Sequence, residues 1–272
     1  MEEESLKRNI TSDSNNSLPR RVFICVYRHI EPSKKQWNEL ISAAQKTPSL
    51  QEFSNTYKDN YYDWGDDPSF FAAKKYLGDE KFATWGVCRA NVRKQLIKGD
   101  VVVFICGRQT GKNWKYYYIG YGTVSLNLKN RLEIWKKDKY EAQRGFYNLL
   151  IDKRGAQFEP FGGIHDNLCE RVGAGYIFFE TASNLTNFNF VNPLYIADCN
   201  PDQKLTETWK SNKLVKDLEN LLLKKYCKNG RSLRSTNVQR AHPHIRLKDM
   251  TLEELTAFRS ELLEISKAIK SY

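Results

Sequence analysis

The segment Thr84-Trp85-Gly86-Val87-Cys88-Arg89-Ala90-Asn91 sets a large indole beside small residues and an arginine, just ahead of a helix-forming stretch. That combination suits a floor for a flat, partly polar ring such as a nucleobase. Stacking on an aromatic face is worth roughly 1–3 kcal/mol per base, and discrimination comes from donors and acceptors fixed along the base edge. Trp85 supplies the stacking face in this reading, with Trp64 or Tyr62 as a second wall. Asp66 and Asp67 can accept from exocyclic amino groups, and Asn91 offers both a donor and an acceptor. Arg89 and Arg93, with Lys94, can hold the flanking phosphates. Each residue also has a packing role open to it. Trp85 and Trp64 equally suit a core, Asp67 before Pro68 suits a helix cap, Asn91 a plain surface position, and the arginines a solvated basic face.

A second basic stretch runs from Lys224 to Arg246 without a carboxylate. Its Arg231, Arg234 and Arg240, interleaved with Ser and Asn, suit phosphate oxygens. A solvated basic loop is the alternative.

Other candidate motifs carry less. Gly107-Arg108-Gln109-Thr110-Gly111-Lys112-Asn113 is one residue short of a phosphate loop and places Asn113 where the metal-binding hydroxyl belongs. Lying between two strand patterns, it fits a hairpin turn. Gly120-Tyr121-Gly122 lacks the third glycine of a dinucleotide loop and suits a strand with close backbone approach. His242-Pro243-His244 has no adjacent ligand set. His165-Asp166 follows Gly162-Gly163 and reads as an acid–base pair or a mobile loop. Asp63, Asp66 and Asp67 with Glu80 and Lys81 match no nuclease signature. No catalytic residue, metal ligand or cofactor is assigned.

The elements that must position these residues follow from periodicity and punctuation. Residues 1–19 are polar and Ser/Asn-rich, and are expected to form a disordered tail. Arg21 to Ile30 reads as a central first strand. Ser33 with Gln36 forms a capping box that opens a helix carrying Trp37, Leu40, Ile41 and Ala44, closed by Pro48. Residues 49–67 are loop-like, and Asp67-Pro68 starts a short helix ending at Gly78. The spacing predicts a helix over Cys88 to Ile97, stopped by Gly99. Strands follow at 100–106 and 115–124, joined by a turn over 107–113, with further strands at Phe146 to Ile151, Gly175 to Glu180 and Leu194 to Cys199. Several strands with few helices and no βαβ rhythm predict an α+β, barrel-like domain over 20–204. Residues 205–272 read as a helical C-terminal extension with the basic loop inside it. A long amphipathic helix begins near Thr206. The box Thr251/Glu254 starts another, bearing Leu255, Phe258, Leu262, Ile265 and Ile269.

Hydrophobic residues are 40% of the 272 and aromatics 13%, enough for a packed core. The net charge of +11 calls for an acidic partner, with nucleic acid first and an anionic membrane second. No apolar segment reaches bilayer length, so no membrane partner is assigned. The acidic start Met1-Glu2-Glu3-Glu4 lacks the features of a secretory signal. The six cysteines are scattered, with no Cys-x-x-Cys pair. They read as reduced thiols of a cytoplasmic protein.

The ordered set Trp85, Val87, Arg89-Ala90, Val92-Arg93, Leu96, Lys98-Gly99-Asp100, Val103-Phe104-Ile105, then Tyr118-Ile119-Gly120-Tyr121-Gly122-Thr123-Val124, resembles the EVE domain of the PUA-like superfamily, which also includes YTH domains. It is similar too to the nucleotide-modification-associated domains of bacteria and phages. The resemblance covers residues 84–124, with some support from the strand at 21–30. It implies a PUA-like twisted, partly open β-barrel with flanking helices and a pocket for a flipped or unpaired base. In such a fold Trp85 lines the pocket, and the segment after the first strand nominates Tyr27 and His29. The chain departs from a small EVE domain in its insertion over 31–83 and in the region after 125. The expected function is a non-catalytic module that reads a modified base in DNA or RNA. The alternatives are an enzyme acting on nucleotides or nucleic acid, such as a restriction-type nuclease or base-modifying enzyme, and an adaptor for an acidic protein.

Overall fold

The computed structural model describes residues 21–29, 33–51, 54–55, 58, 84–86, 89–110, 113–160, 175–188, 194–199, 217, 220, 244–246 and 249–270. Strand β1 (Val22–His29) opens with Val22, Phe23, Ile24 and Cys25, all wholly buried. An unbroken apolar run of this kind suits a strand covered on both faces. Helix α1 (Lys34–Gln45) starts at the expected capping box. Gln36 N donates to Ser33 Oγ at 3.2 Å, and Ser33 N donates to Gln36 Oε1 at 2.9 Å. Its stripe of Trp37, Leu40, Ile41 and Ala44 is buried. Pro48 does more than close α1, since it begins a 3₁₀ turn, Pro48–Leu50, where its missing N–H has no partner to lose.

Strand β2 (Thr84–Trp85) leads to α2 (Ala90–Arg93), a single turn in place of the helix expected over 88–97. Arg89, at its N-cap, sits in the left-handed region at φ 46 and makes no side-chain cap. At the other end Asn127 Nδ2 donates to both Arg93 O and Leu96 O at 2.8 Å. Asp100 Oδ2 accepts from Ile97 N, also at 2.8 Å. A longer helix would need those groups, so tertiary partners cut it short.

Strands β3 (Val101–Thr110) and β4 (Asn113–Leu128) form a hairpin that extends through most of the turn expected over 107–113. Next come a turn of helix, α3 (Glu133–Lys136), and 3₁₀ turns at Asp138–Gly145 and Tyr147–Leu149. The strand expected over 146–151 is therefore corrected. β5 (Ile151–Arg154) begins only at Ile151, after Leu150 at φ 66. The carbonyls ahead of it are engaged by the Arg131 side chain rather than by a neighbouring strand. Then follow β6 (Gln157–Pro160), β7 (Tyr176–Phe179), β8 (Thr186–Phe188), β9 (Leu194–Cys199), β10 (His244–Arg246) and the C-terminal helix α4 (Leu252–Lys270).

The main sheet has the order β10-β1-β3-β4-β7-β2, with β8 and β9 also on β4; β5 and β6 make a separate pair. β1 runs parallel to β3, and the other pairings are antiparallel. β4 serves β9, β8 and β7 in succession, with register shifts at Tyr116/Tyr117 and Val124/Leu126. Such irregularities increase twist and let one strand pass between sheets. The chain is thus α+β with a mixed, open sheet. The expected barrel does not close among the described residues.

Opposite faces of β7 feed two cores. Ile177 and Phe179 join Phe23, Cys25, Trp85, Val92, Phe104 and Ile119. Tyr176 and Phe178 join Trp37, Leu40, Leu149 and Ile151. Helix α4 begins with the Thr251/Glu254 box and buries Leu255, Phe258, Leu262 and Ile265. It lies against β4, where Tyr118 Oη and Ser266 Oγ are 3.4 Å apart. The expected N-terminal tail, the helix after Asp67, most of the helix from Thr206 and nearly all of the basic loop lie outside the described residues. Among the described residues no helix is long and apolar enough to cross a membrane.

Candidate nucleic-acid interface

The β2–β7 ladder pairs Trp85 with Ile177 and sets the indole inside the fold. Trp85 is 2% exposed. Its ring meets Phe104 edge-on, with centroids 5.1 Å apart and planes at 88°. The Arg93 guanidinium lies 5.9 Å from its centroid. A cleft wide enough for a base would leave the indole accessible to water. The expected role of Trp85 as a stacking floor is corrected by this placement: the side chain is part of the core.

Next to it lies a buried polar cluster that sequence reasoning missed. Thr84, Asn148, Tyr176 and Arg131 are all 1% exposed or less. Tyr176 Oη is 2.7 Å from Asn148 Oδ1 and 3.0 Å from Thr84 Oγ1, and Asn148 Nδ2 donates to Thr84 O at 2.9 Å. Arg131 donates to Gly86 O at 2.8 Å and to Leu149 O at 3.0 Å, with its guanidinium 5.8 Å from the Tyr176 centroid. Burial pushes the Tyr176 phenol up from its ordinary value, with the Thr84 hydrogen bond and the charges of Arg131 and Arg93 opposing that shift. The phenol is therefore a neutral donor. The cluster fastens β2 and Gly86 to the segment 146–150, which is a positioning task. Its members are scattered from 84 to 176, so no spacing in the sequence announces it.

The remaining candidates separate. Tyr27 and His29 are in β1, with backbone partners Cys106 and Arg108. Arg93 is 2% exposed and donates to Gly175 O, so its expected phosphate contact is corrected to a structural one. Arg89 is half-buried. Its charge acts on Cys25, whose thiol burial pushes up to about 12 against that charge. Asn91 and Lys94 are exposed. Trp64, Tyr62, Asp66, Asp67, Arg231, Arg234 and Arg240 lie outside the described residues.

The surface around Asn91 and Lys94 has a distinct character. Gln95, Lys98, Lys129 and Asn130 are exposed with them, and Ile97 is 48% exposed. Lys129 Nζ donates to Lys94 O at 2.8 Å, which draws the end of β4 against α2. From Lys81 to Leu132 the chain has a single carboxylate, Asp100. Asp100 is 1% exposed, and Arg21 Nη2 sits 2.5 Å from its Oδ2. Lys94, Lys98 and Lys129 thus face solvent from a stretch with no exposed carboxylate of its own. That charge distribution is legible in the sequence, although no short motif carries it.

Among the described residues no group of His, Cys, Asp and Glu is placed to hold a metal ion. No family model matches the chain, and no curated protein or solved structure matches it either.

Proposed function

We propose that this protein is a nucleic-acid-binding module that grips the phosphate backbone through exposed residues that follow α2 and β4. The observation that carries this reading is that Lys94, Lys98 and Lys129 are all exposed in a stretch, 81–132, whose single carboxylate, Asp100, is buried against Arg21, with Lys129 Nζ reaching the Lys94 carbonyl. Cations with no ion pair among the described residues attract phosphates and release their counterions, which gives affinity that falls with salt. The net charge of +11 acts in the same direction. Asn91 and Gln95 add neutral donors beside the lysines.

The resemblance of residues 84–124 to EVE and PUA-like domains supports a fold built to present an unpaired or modified base. With Trp85 in the core, the stacking surface for such a base comes from another aromatic side chain. Titration of the full chain with DNA and RNA oligonucleotides, modified and unmodified, at several salt concentrations tests the proposal. Binding whose affinity falls steeply with salt, and is weakened by replacing Lys94, Lys98 and Lys129 together with glutamine, is expected. Undiminished affinity in that triple variant refutes the assigned face.

A further inference from the structure

We propose that the β5–β6 hairpin is the base-contacting element, with Phe158 as a platform on which an unpaired base of a single-stranded nucleic acid stacks. This rests on the nucleic-acid reading above and names the part of the chain that meets bases rather than phosphates.

The hairpin stands apart from the main sheet as its own two-stranded ribbon. Its base is fixed: Ile151 is 4% exposed and Asp152 is 3% exposed, and Ser49 Oγ donates to Asp152 Oδ1 at 2.9 Å. Its tip is open. Residues 153–158 are exposed without interruption, and a Cβ added at Gly155 would meet nothing within 4 Å. Gly155 supplies the positive φ, 61°, that the two-residue turn needs.

The register gives the ribbon two unlike faces. Lys153 pairs with Phe158, so the ammonium and the ring share one side. Asp152, Arg154 and Glu159 share the other, where Arg154 Nη1 is 3.1 Å from Glu159 Oε2 and Arg154 Nε is 4.0 Å from Asp152 Oδ2. Both carboxylates thus lie beside the Arg154 guanidinium, away from the aromatic side. Phe158 is 38% exposed, one of few large apolar side chains that the described surface shows to water. A ring beside a cation that has no ion pair among the described residues, on a ribbon of its own, complements a ligand with an aromatic face and an adjacent anion, which is the make-up of a nucleotide in a strand. Stacking needs a base whose face is free, so a single strand is the fitting partner and an intact duplex is not.

The test compares a labelled single-stranded oligothymidine with an abasic oligomer of the same length, which keeps the phosphates and lacks the bases. The full chain and its F158A and F158W variants are titrated with each by fluorescence anisotropy. F158A is expected to weaken oligothymidine binding about tenfold or more. F158W is expected to restore it, and all three proteins are expected to bind the abasic oligomer alike. Equal affinity of F158A and the parent for oligothymidine, or equal losses on both oligomers, overturns the assignment. If the parent binds oligothymidine in a salt-dependent way while F158A matches it, the hairpin assignment alone falls. If the parent binds neither oligomer, the nucleic-acid reading falls with it.

Discussion

Arg93 and Trp85 form a buried pair, with the guanidinium carbon 5.9 Å from the indole centroid and the same side chain donating to Gly175 O. The arginine sits where one face of the ring would have to open for a ligand. Replacing Arg93 with alanine removes the charge over the ring and leaves the Gly175 carbonyl without its donor in the core. A loss of about 2–4 kcal/mol is expected from denaturant unfolding. Trp85→Phe keeps an aromatic ring against Phe104 and is expected to lower stability while leaving oligonucleotide affinity within about twofold. A selective loss of affinity in a fully folded Trp85→Phe variant would return the indole to the binding surface.

Gly86 admits no side chain. A Cβ there would run into the Asn148 carbonyl oxygen and stand 2.7 Å from the Tyr176 ring, both parts of the buried polar cluster. Gly86→Ala is expected to destabilise by about 2–4 kcal/mol through overpacking and disturbed hydrogen bonds. Thermal unfolding by circular dichroism measures it. An unchanged midpoint would mean that the β2 segment can shift away from 146–150.

The lysine face has a quantitative signature. Each phosphate left without its cation should reduce the magnitude of the slope of log affinity against log salt by about 0.9 on duplex DNA and about 0.7 on a single strand. Single glutamine substitutions at Lys94, Lys98 and Lys129 are each expected to lower that slope by up to one such step. Lys35→Gln, on the outer face of α1 and within 3.9 Å of Glu39, serves as a comparison and is expected to change it less. Identical slopes across all four variants would remove the lysine face from the interface.

Buried acids make the fold sensitive to high pH. The Cys25 thiol is held up to about 12 from an ordinary 9.0, chiefly by burial. Tyr121 is held up to about 12 from 10.0 by the same cause. In this range the unfolded chain releases these protons first, so the folded state binds more protons than the unfolded one. Stability is then complete below about pH 9 and declines as pH rises toward 12. Unfolding free energies measured from neutral to alkaline pH should fall along that interval. Peptide mapping after alkylation should find Cys25 and Cys106, both buried, unmodified until denaturant is added.

Local signals in this chain were legible, and long-range ones were not. The two capping boxes fixed the starts of α1 and α4 because their partners sit three residues apart. The run at 101–106 was legible because continuous apolar composition suits a strand covered on both sides. The helix expected over 88–97 failed because Asn127, thirty residues downstream, takes two of its carbonyls. The strand expected over 146–151 failed in the same way through Arg131. Trp85 shows the limit for the site: its neighbours in sequence are compatible with a floor or a filler, and the choice is made by Phe104, Ile177 and Arg93. Of the three lysines the sequence nominates only Lys94; the scarcity of carboxylates over 81–132 points to the others, and their exposure comes from the fold.

The pairing of β1 with β3 on one side and β10 on the other ties the start of the described chain to its last strand. During synthesis β1 emerges well before its second neighbour, which is complete only at Arg246. Until the ribosome has passed that residue, one edge of the buried run Val22–Cys25 stays without a hydrogen-bonding neighbour. That is the condition under which nascent sheets associate with one another. The growing chain therefore carries an adhesive edge until that point, and β10 is the strand that covers it.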